Sequence, residues 1–367
     1  MKKWLVRIGI VVLLLVGGLF TLAFWMDSGE AVVSGHVLNE AAKTIKPGFE
    51  GTPVDQNGAF MNLEYPFKSK ILDLLKWRIN GNPQAEEKEN DTERLPIADP
   101  NEFWKSDRDG ILWLGHASFY IRLSGKGILI DPVFGDPSFI TPYLHVPSPI
   151  DVIDRVDYIL LSHDHRDHTD EPTLRKVTAK FPDAMLLAGL GTEDLLNEWK
   201  TPTNPIQTVG WYQQFNLPDD EVKIFFMPVR HWSRRGLTDM NKRLWGGYVI
   251  QNSDNTIYFG GDSGYGSHYK ELAELFPKLE FFIIGIGGYS PRWFMEPNHN
   301  TPEEAIQAYT DAKATALIPM HFGRFSMSDE PPSEPLKLLN QKAEELGILH
   351  KILSLDIYES TDCGCSK

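Results

Sequence analysis

Cysteine is nearly absent from this chain of 367 residues: it has two, Cys363 and Cys365, both in the closing DCGCSK segment. The remainder can build no disulfide framework and no thiolate site. A metal held in the folded part must therefore use His, Asp or Glu. Cationic excess is lacking too. Fifty acidic residues outnumber 36 basic ones, giving a formal net charge of -14 and a pI of about 5.3. That balance excludes a generally basic surface, so no nucleic-acid partner is expected. It leaves room for an anionic small molecule or lipid headgroup at local cations such as Arg230, Arg234 and Arg235. No repeat at a solenoid period occurs.

Long uncharged apolar runs are scarce, with one exception. Lys2, Lys3 and Arg7 precede Ile8–Trp25 (IGIVVLLLVGGLFTLAFW), which carries no charge and closes at Asp27. The run exceeds a signal-peptide core and approaches the ~20 residues that span a bilayer. No clear A-x-A cleavage pattern follows. Residues 1–26 read as one N-terminal transmembrane helix or, alternatively, a cleaved signal followed by secretion. The positive-inside bias places the N-terminus in the cytoplasm and the large domain on the extracytoplasmic side.

Residues 27–108 read as a connector and N-terminal extension with one helix over Phe67–Ile79. There Ile71, Leu72, Leu74 and Leu75 form an apolar stripe that packs on the main domain. Residues 80–92 (NGNPQAEEKENDT) read as a solvated loop or linker, and 359–367 as a mobile tail. From Gly110 onward short apolar runs alternate with helical stretches: ILWLG, FYIRL, GILIDPVF, DYILLSH, AMLLAG, KIFFMPV, GYVIQ, TIYFGGD, FFIIGIG and ATALIPMH. Many are continuous, as expected of strands covered on both faces. Helices are expected at Glu171–Lys180, Thr192–Trp199, His268–Phe276, Thr301–Asp311 and Glu334–Leu346. The alternation indicates a layered α/β architecture, sheets inside and helices outside.

The segment DYILLSHDHRDHTD places three histidines and two aspartates between His163 and His168, where a buried-strand pattern ends. In an extended segment His163 and His165 point the same way, and Asp167 and His168 follow once the chain turns. One segment can thus serve two neighbouring metal ions. KIFFMPV runs into His231, TIYFGG into Asp262 and ATALIPM into His321. Strand ends on one rim are where α/β folds assemble sites. Imidazole and carboxylate donors suit two zinc ions, with iron or manganese as alternatives. Two divalent cations bring four positive charges, of which Asp167 and Asp262 neutralise two. The rest lowers the pKa of a bridging water and makes a hydroxide nucleophile.

HDHRDH resembles the HxHxDH motif of the metallo-β-lactamase superfamily, with the downstream His, Asp and His in matching order. The resemblance implies an αββα four-layer sandwich over roughly residues 109–358. It also implies one metal on His163, His165 and His231, a second on Asp167, His168 and His321, and Asp262 bridging. WLGHASFYIRL with ILIDPVF, and the later PNHNTPEEAI and IPMHFGRF, are similar to the N-acyl-phosphatidylethanolamine phospholipase D branch, as are GFEGTPVDQNGAFMN and LLKWRI upstream. That narrower resemblance implies a membrane-anchored, zinc-dependent phosphodiesterase. Its substrate would be N-acyl-phosphatidylethanolamine or a related amphipathic phosphodiester.

Asp167, Asp262 and His299 are the candidate catalytic residues. His299, on the loop before a helix, either contacts substrate and assists the leaving group or is a surface histidine. Asp131 either orients a ligand histidine or forms a turn before Pro132. His116 either hydrogen-bonds near the site or ends a strand. Arg230 and Arg234 either attract phosphate or pair at the surface. Trp211, Tyr212, Trp232, Tyr289, Trp293 and Phe294 either line an acyl groove or pack in the core. The same two-metal site would also suit a lactonase or amidase. A regulatory binding protein with structural metals is disfavoured, because Asp167 builds a second, open centre.

Overall fold

The computed structural model describes residues 32–67, 71–200 and 204–363. The expected membrane or signal segment at 1–26 and Cys365 lie outside the described residues. Among the described residues, no helix is long and apolar enough to cross a membrane.

Two seven-stranded sheets carry the molecule. Strand order in the first is Ile206–Val209, Met185–Gly189, Tyr158–Leu161, Lys126–Ile130, Ser118–Leu123, Gly110–Gly115 and Ser360–Asp362. In the second it is Ala316–Met320, Phe281–Gly285, Thr256–Phe259, Gly247–Gln251, Lys223–Met227, Gln213–Gln214 and Lys43–Thr44. The strands Gly110–Gly115, Ser118–Leu123, Tyr158–Leu161 and Thr256–Phe259 are buried at every position, which explains their continuous apolar runs. The inner faces meet directly. Phe119 packs on Phe259 with ring centroids 6.0 Å apart, and the Tyr248 hydroxyl donates to the carbonyls of Leu161 and Leu187. With helices outside, this is the expected four-layer α/β arrangement.

Helix boundaries follow their local chemistry. Glu171–Lys180 starts at Asp170, whose side chain accepts from Thr173 N. Pro302–Asp311 starts at Thr301, in a capping box with Glu304. Thr192–Glu198, His268–Leu275 and Glu334–Glu345 stand within one residue of their expected ends.

The flanks differ from expectation. The described part of the expected connector is built into the fold: Val33–Val37 pairs with Thr52–Asp55, and Lys43–Thr44 forms the edge of the second sheet. The described part of the expected helix runs Ile71–Asn80, but the stripe does not pack on the main domain: Leu72, Leu74 and Leu75 are exposed, and it is Trp77 that meets Phe294 and donates to Asp329. In the expected loop, Ala85–Asn90 is helical, and Gln84 and Asn82 donate to Glu334 and to the Asp329 carbonyl. Polarity there marked exposure correctly, but Ala, Glu and Lys also favour helix. The tail is a strand as far as Asp362, and Cys363 is buried with its amide donating to the Asp109 carbonyl. Burial pushes the Cys363 thiol up to about 12.

Candidate metal centre

Strands in the two sheets that run in one direction end at a common rim. Asp131 follows Ile130, His163–His168 follow Leu161, His231 follows Met227, Asp262 follows Phe259, and His321 follows Met320. The alignment comes from parallel pairing of Lys126–Ile130 with Tyr158–Leu161, and of Thr256–Phe259, Phe281–Gly285 and Ala316–Met320 with one another. Three of the residues there, Asp131, His116 and His321, adopt positive φ (42°, 55° and 62°), a strained backbone for residues other than glycine.

Two clusters form. In the first, His163 Nε2 lies 2.9 Å from His165 Nδ1, and His231 Nε2 lies 3.2 Å from the same atom. In the second, His168 Nε2 and His321 Nε2 stand 3.4 and 3.5 Å from Asp167 Oδ2. Asp262 divides its carboxylate between them. Its Oδ1 is 3.3 and 3.2 Å from His168 and His321, and its Oδ2 is 3.9 and 3.8 Å from His163 and His231. Donors bound to a tetrahedral zinc at about 2.0–2.1 Å stand about 3.3 Å apart. Several inward atoms, His168 Nε2, His321 Nε2 and Asp262 Oδ1 among them, are buried without a hydrogen-bond partner. Such donors fit a cation at each cluster, and all seven expected ligands are brought together.

The electrostatics of the clusters are opposite. Burial, then mutual repulsion among imidazoles, holds His163 well below its usual range. His231 is held there by burial despite Asp262. Burial also disfavours charge on His168 and His321, but Asp262 and Asp167 overcome it. His168 is raised well above the usual range and His321 to about 9.

The Beta-lactamase superfamily domain model matches residues 126–322. The chain belongs to that superfamily. An uncharacterized protein of Mycobacterium tuberculosis is 30% identical over 323 residues, 84% of this chain and 84% of that one. A Caenorhabditis elegans protein named N-acyl-phosphatidylethanolamine-hydrolyzing phospholipase D 1 is 30% identical over 254 residues, 64% of this chain and 70% of that one. Among solved structures, isothiocyanate hydrolase from Delia radicum gut bacteria is 19% identical with a TM-score of 0.57. That match covers 70% of this chain and all of that one, and shows the fold alone.

Around this superfamily site the outer nitrogens of three imidazoles, His168, His163 and His231, are held in turn. Asp131 Oδ2 accepts from His168 Nδ1 at 2.8 Å and from the Ser162 hydroxyl at 2.5 Å; that hydroxyl lies 2.9 Å from His163 Nδ1. One buried carboxylate thus orients a histidine of each cluster. His231 Nδ1 lies 3.2 Å from the Asn298 carbonyl. His299 stands at the mouth, its Nδ1 3.9 Å from Asp262 Oδ2. It is held by Arg292, which donates to the His299 carbonyl and pairs with Glu304. Gly288 (φ 81°) makes room for it, since a Cβ there would stand 3.2 Å from the His299 ring.

Other candidates fall elsewhere. Arg230 pairs with Glu296 at 2.9 Å and donates to Tyr265 O. Arg234 donates to the carbonyls of Gly236 and Leu237. Both are committed to the protein. Trp211 and Tyr212 are buried, bonded to Trp245 O and Glu271, and Tyr289 is buried on Glu334. Trp232 does reach the site: it meets His165 edge-on at 4.5 Å and stacks on Phe67 at 5.1 Å. Trp293 is 47% exposed and carries Lys76 over its ring, while Phe294 lies against Trp77 at 5.2 Å. Sequence reasoning underweighted His116, which is buried and donates from Nε2 to Asp167 Oδ2 at 3.0 Å. Burial and the charge of His321 push it down to about 3. The GHAS position after a strand was a signal, but its partner is 51 residues away.

Proposed function

We propose that this chain is a two-metal phosphodiesterase of phospholipase D type, acting on N-acyl-phosphatidylethanolamine or a related phospholipid. The observation that carries the reading is the division of the Asp262 carboxylate between two donor clusters. His163, His165 and His231 would hold one metal, Asp167, His168 and His321 the other, with Asp262 shared. Two divalent ions bound there, zinc being the donor set's natural choice, would supply Lewis acidity and lower the pKa of a water. A phosphodiester carries one negative charge shared by two non-bridging oxygens and gains charge as it is attacked, so it benefits from paired cations.

Asp131 and Ser162 keep the donor nitrogens aimed while charge develops. His299 overhangs both clusters, its ring centroid 5.5 Å from that of His231 and 5.2 Å from that of His321. Burial lowers it to about 4. At neutral pH it is uncharged, so it offers one N–H to a substrate oxygen and does not store a proton for the leaving alcohol. Trp232, stacked on Phe67, walls the mouth beside His165. Nearby surfaces are apolar: Phe139 is 95% exposed under the Arg166 guanidinium, and Leu72, Leu75 and Ile79 are exposed on Ile71–Asn80. Amphipathic substrate suits such a rim. The C. elegans relative's name supports the same substrate class. The apolar run at 8–25 would anchor the chain, with its domain extracytoplasmic; protease protection of intact cells checks this.

The test is a full chain loaded with zinc, iron or manganese and given synthetic N-acyl-phosphatidylethanolamine. Release of phosphatidic acid is expected. No release with any metal sinks the substrate assignment. Turnover of lactones or amides instead moves the reading to a carbonyl electrophile.

A further inference from the structure

Three imidazoles of the two clusters have partners for their outer nitrogens, namely His168 on Asp131, His163 on Ser162 and His231 on the Asn298 carbonyl. The other two, His165 at Nε2 and His321 at Nδ1, have none: both atoms are buried and unpartnered. The same is true of His116 Nδ1, on a ring whose Nε2 already donates to Asp167. The Tyr143 hydroxyl is a further buried, unpartnered group. His116, His321 and Tyr143 all line one cavity of about 20 Å³, together with Ser328 and Glu330. The rings of His116 and His321 lie 4.0 Å apart between centroids. The rest of the lining is largely apolar, Phe322, Phe325 and Met327 among it, so the polar groups converge on one side. A cavity of this size has room for a single water, and buried waters sit where otherwise unsatisfied groups converge.

We propose that one water fills this cavity and that His116 is a positioning residue joining two donors of the second cluster. The water accepts from His321 Nδ1–H and donates to His116 Nδ1. His116 Nε2–H in turn holds Asp167 Oδ2. Each proton in this chain has one owner. A neutral imidazole carries one N–H, so His116 with its proton on Nε2 must accept at Nδ1. His321 with its proton on Nδ1 leaves Nε2 as a lone pair aimed into the cluster. The result is a relay of hydrogen bonds, His321 to water to His116 to Asp167, whose two ends, His321 Nε2 and Asp167 Oδ2, stand 3.5 Å apart. Asp131 performs this office for His168 with a carboxylate; here a water and a histidine do so. The inference rests on reading Asp167 and His321 as metal donors.

The experiment titrates the full-length, metal-free chain with Co2+ against a chelator, following the visible spectrum, which resolves occupancy of each cluster. His116→Ala is expected to weaken the second metal by about 10–100-fold, the usual effect of losing an outer partner, and to leave the first unchanged. His116→Gln, whose amide can donate to Asp167, restores most of that loss. The thermal midpoint of each metal-free variant shows whether folding is intact. A wild-type chain that binds only one metal removes the two-cluster reading and this proposal with it. Two metals in wild type, with the second bound equally well by His116→Ala, overturns this proposal alone. The water is tested without substitution: a crystal structure of the metal-loaded chain should show it in contact with both Nδ1 atoms. A dry cavity overturns the bridge.

Discussion

The two donor clusters share one carboxylate and one rim but differ in charge. His163, His165 and His231 are three imidazoles whose burial keeps them neutral, so they present lone pairs at neutral pH. His168 and His321 face Asp167 and Asp262, and without a metal they keep protons that the first cluster sheds. The first cluster is therefore ready for a cation, while the second must exchange protons for one. Identical side chains thus behave differently because of where two carboxylates sit.

Asp262→Ala abolishes the contrast outright, since both clusters lose their common donor. Activity is expected to fall at least about a thousandfold, the scale of several kcal/mol of lost charge stabilisation. Metal analysis should show both ions lost or weakened. Two ions retained at wild-type affinity would refute the sharing of Asp262.

Asp167→Asn sharpens the contrast, because only the second cluster contains that carboxylate. Activity should drop by about a hundredfold or more. Metal content should fall from two ions to one, with the remaining ion bound as before. Loss from the first cluster instead would mean that the clusters are not separable.

Asp131→Asn reaches both clusters, through His168 directly and through Ser162 to His163. An affinity loss of about 10–100-fold is expected for the second metal. A smaller loss is expected for the first, whose link is indirect. The reverse order would show that Ser162, and not Asp131, sets the orientation.

The smallest signal is a proton count. Calorimetry at pH 7 in buffers of different ionisation enthalpy should detect proton release when the second metal binds, and almost none for the first. The sign follows from His321, raised from 6.5 to about 9 in the metal-free fold. Its charged pairing stabilises that fold fully below about pH 6.5 and is lost as pH rises through 9. Metal-free protein should thus lose stability across that interval, and metal-loaded protein should not. Equal proton release from both clusters would contradict the difference in charge.

Much of this site was legible in order along the chain. HDHRDH concentrates five metal-capable side chains in six positions, and His231, Asp262 and His321 each terminate an apolar run. Strand runs and capped helices were likewise readable, because their causes are local: periodicity, Thr-Pro starts and turn residues. The flanks were not. Lys43–Thr44 and Ser360–Asp362 look like connector and tail until a sheet edge pairs with them, and no local pattern announces that edge.

Residue chemistry and strand periodicity, read along the chain, determined which side chains could bind metal and the layered α/β class. Only the tertiary structure decided that Asp262 points one oxygen at each cluster, that Asp131 serves both, and that His116 reaches Asp167. It also decided that Arg230 is held by Glu296. The reason is physical. Donor identity is a property of one residue, whereas orientation and protonation arise from groups far apart in the chain that packing forces into one dry volume.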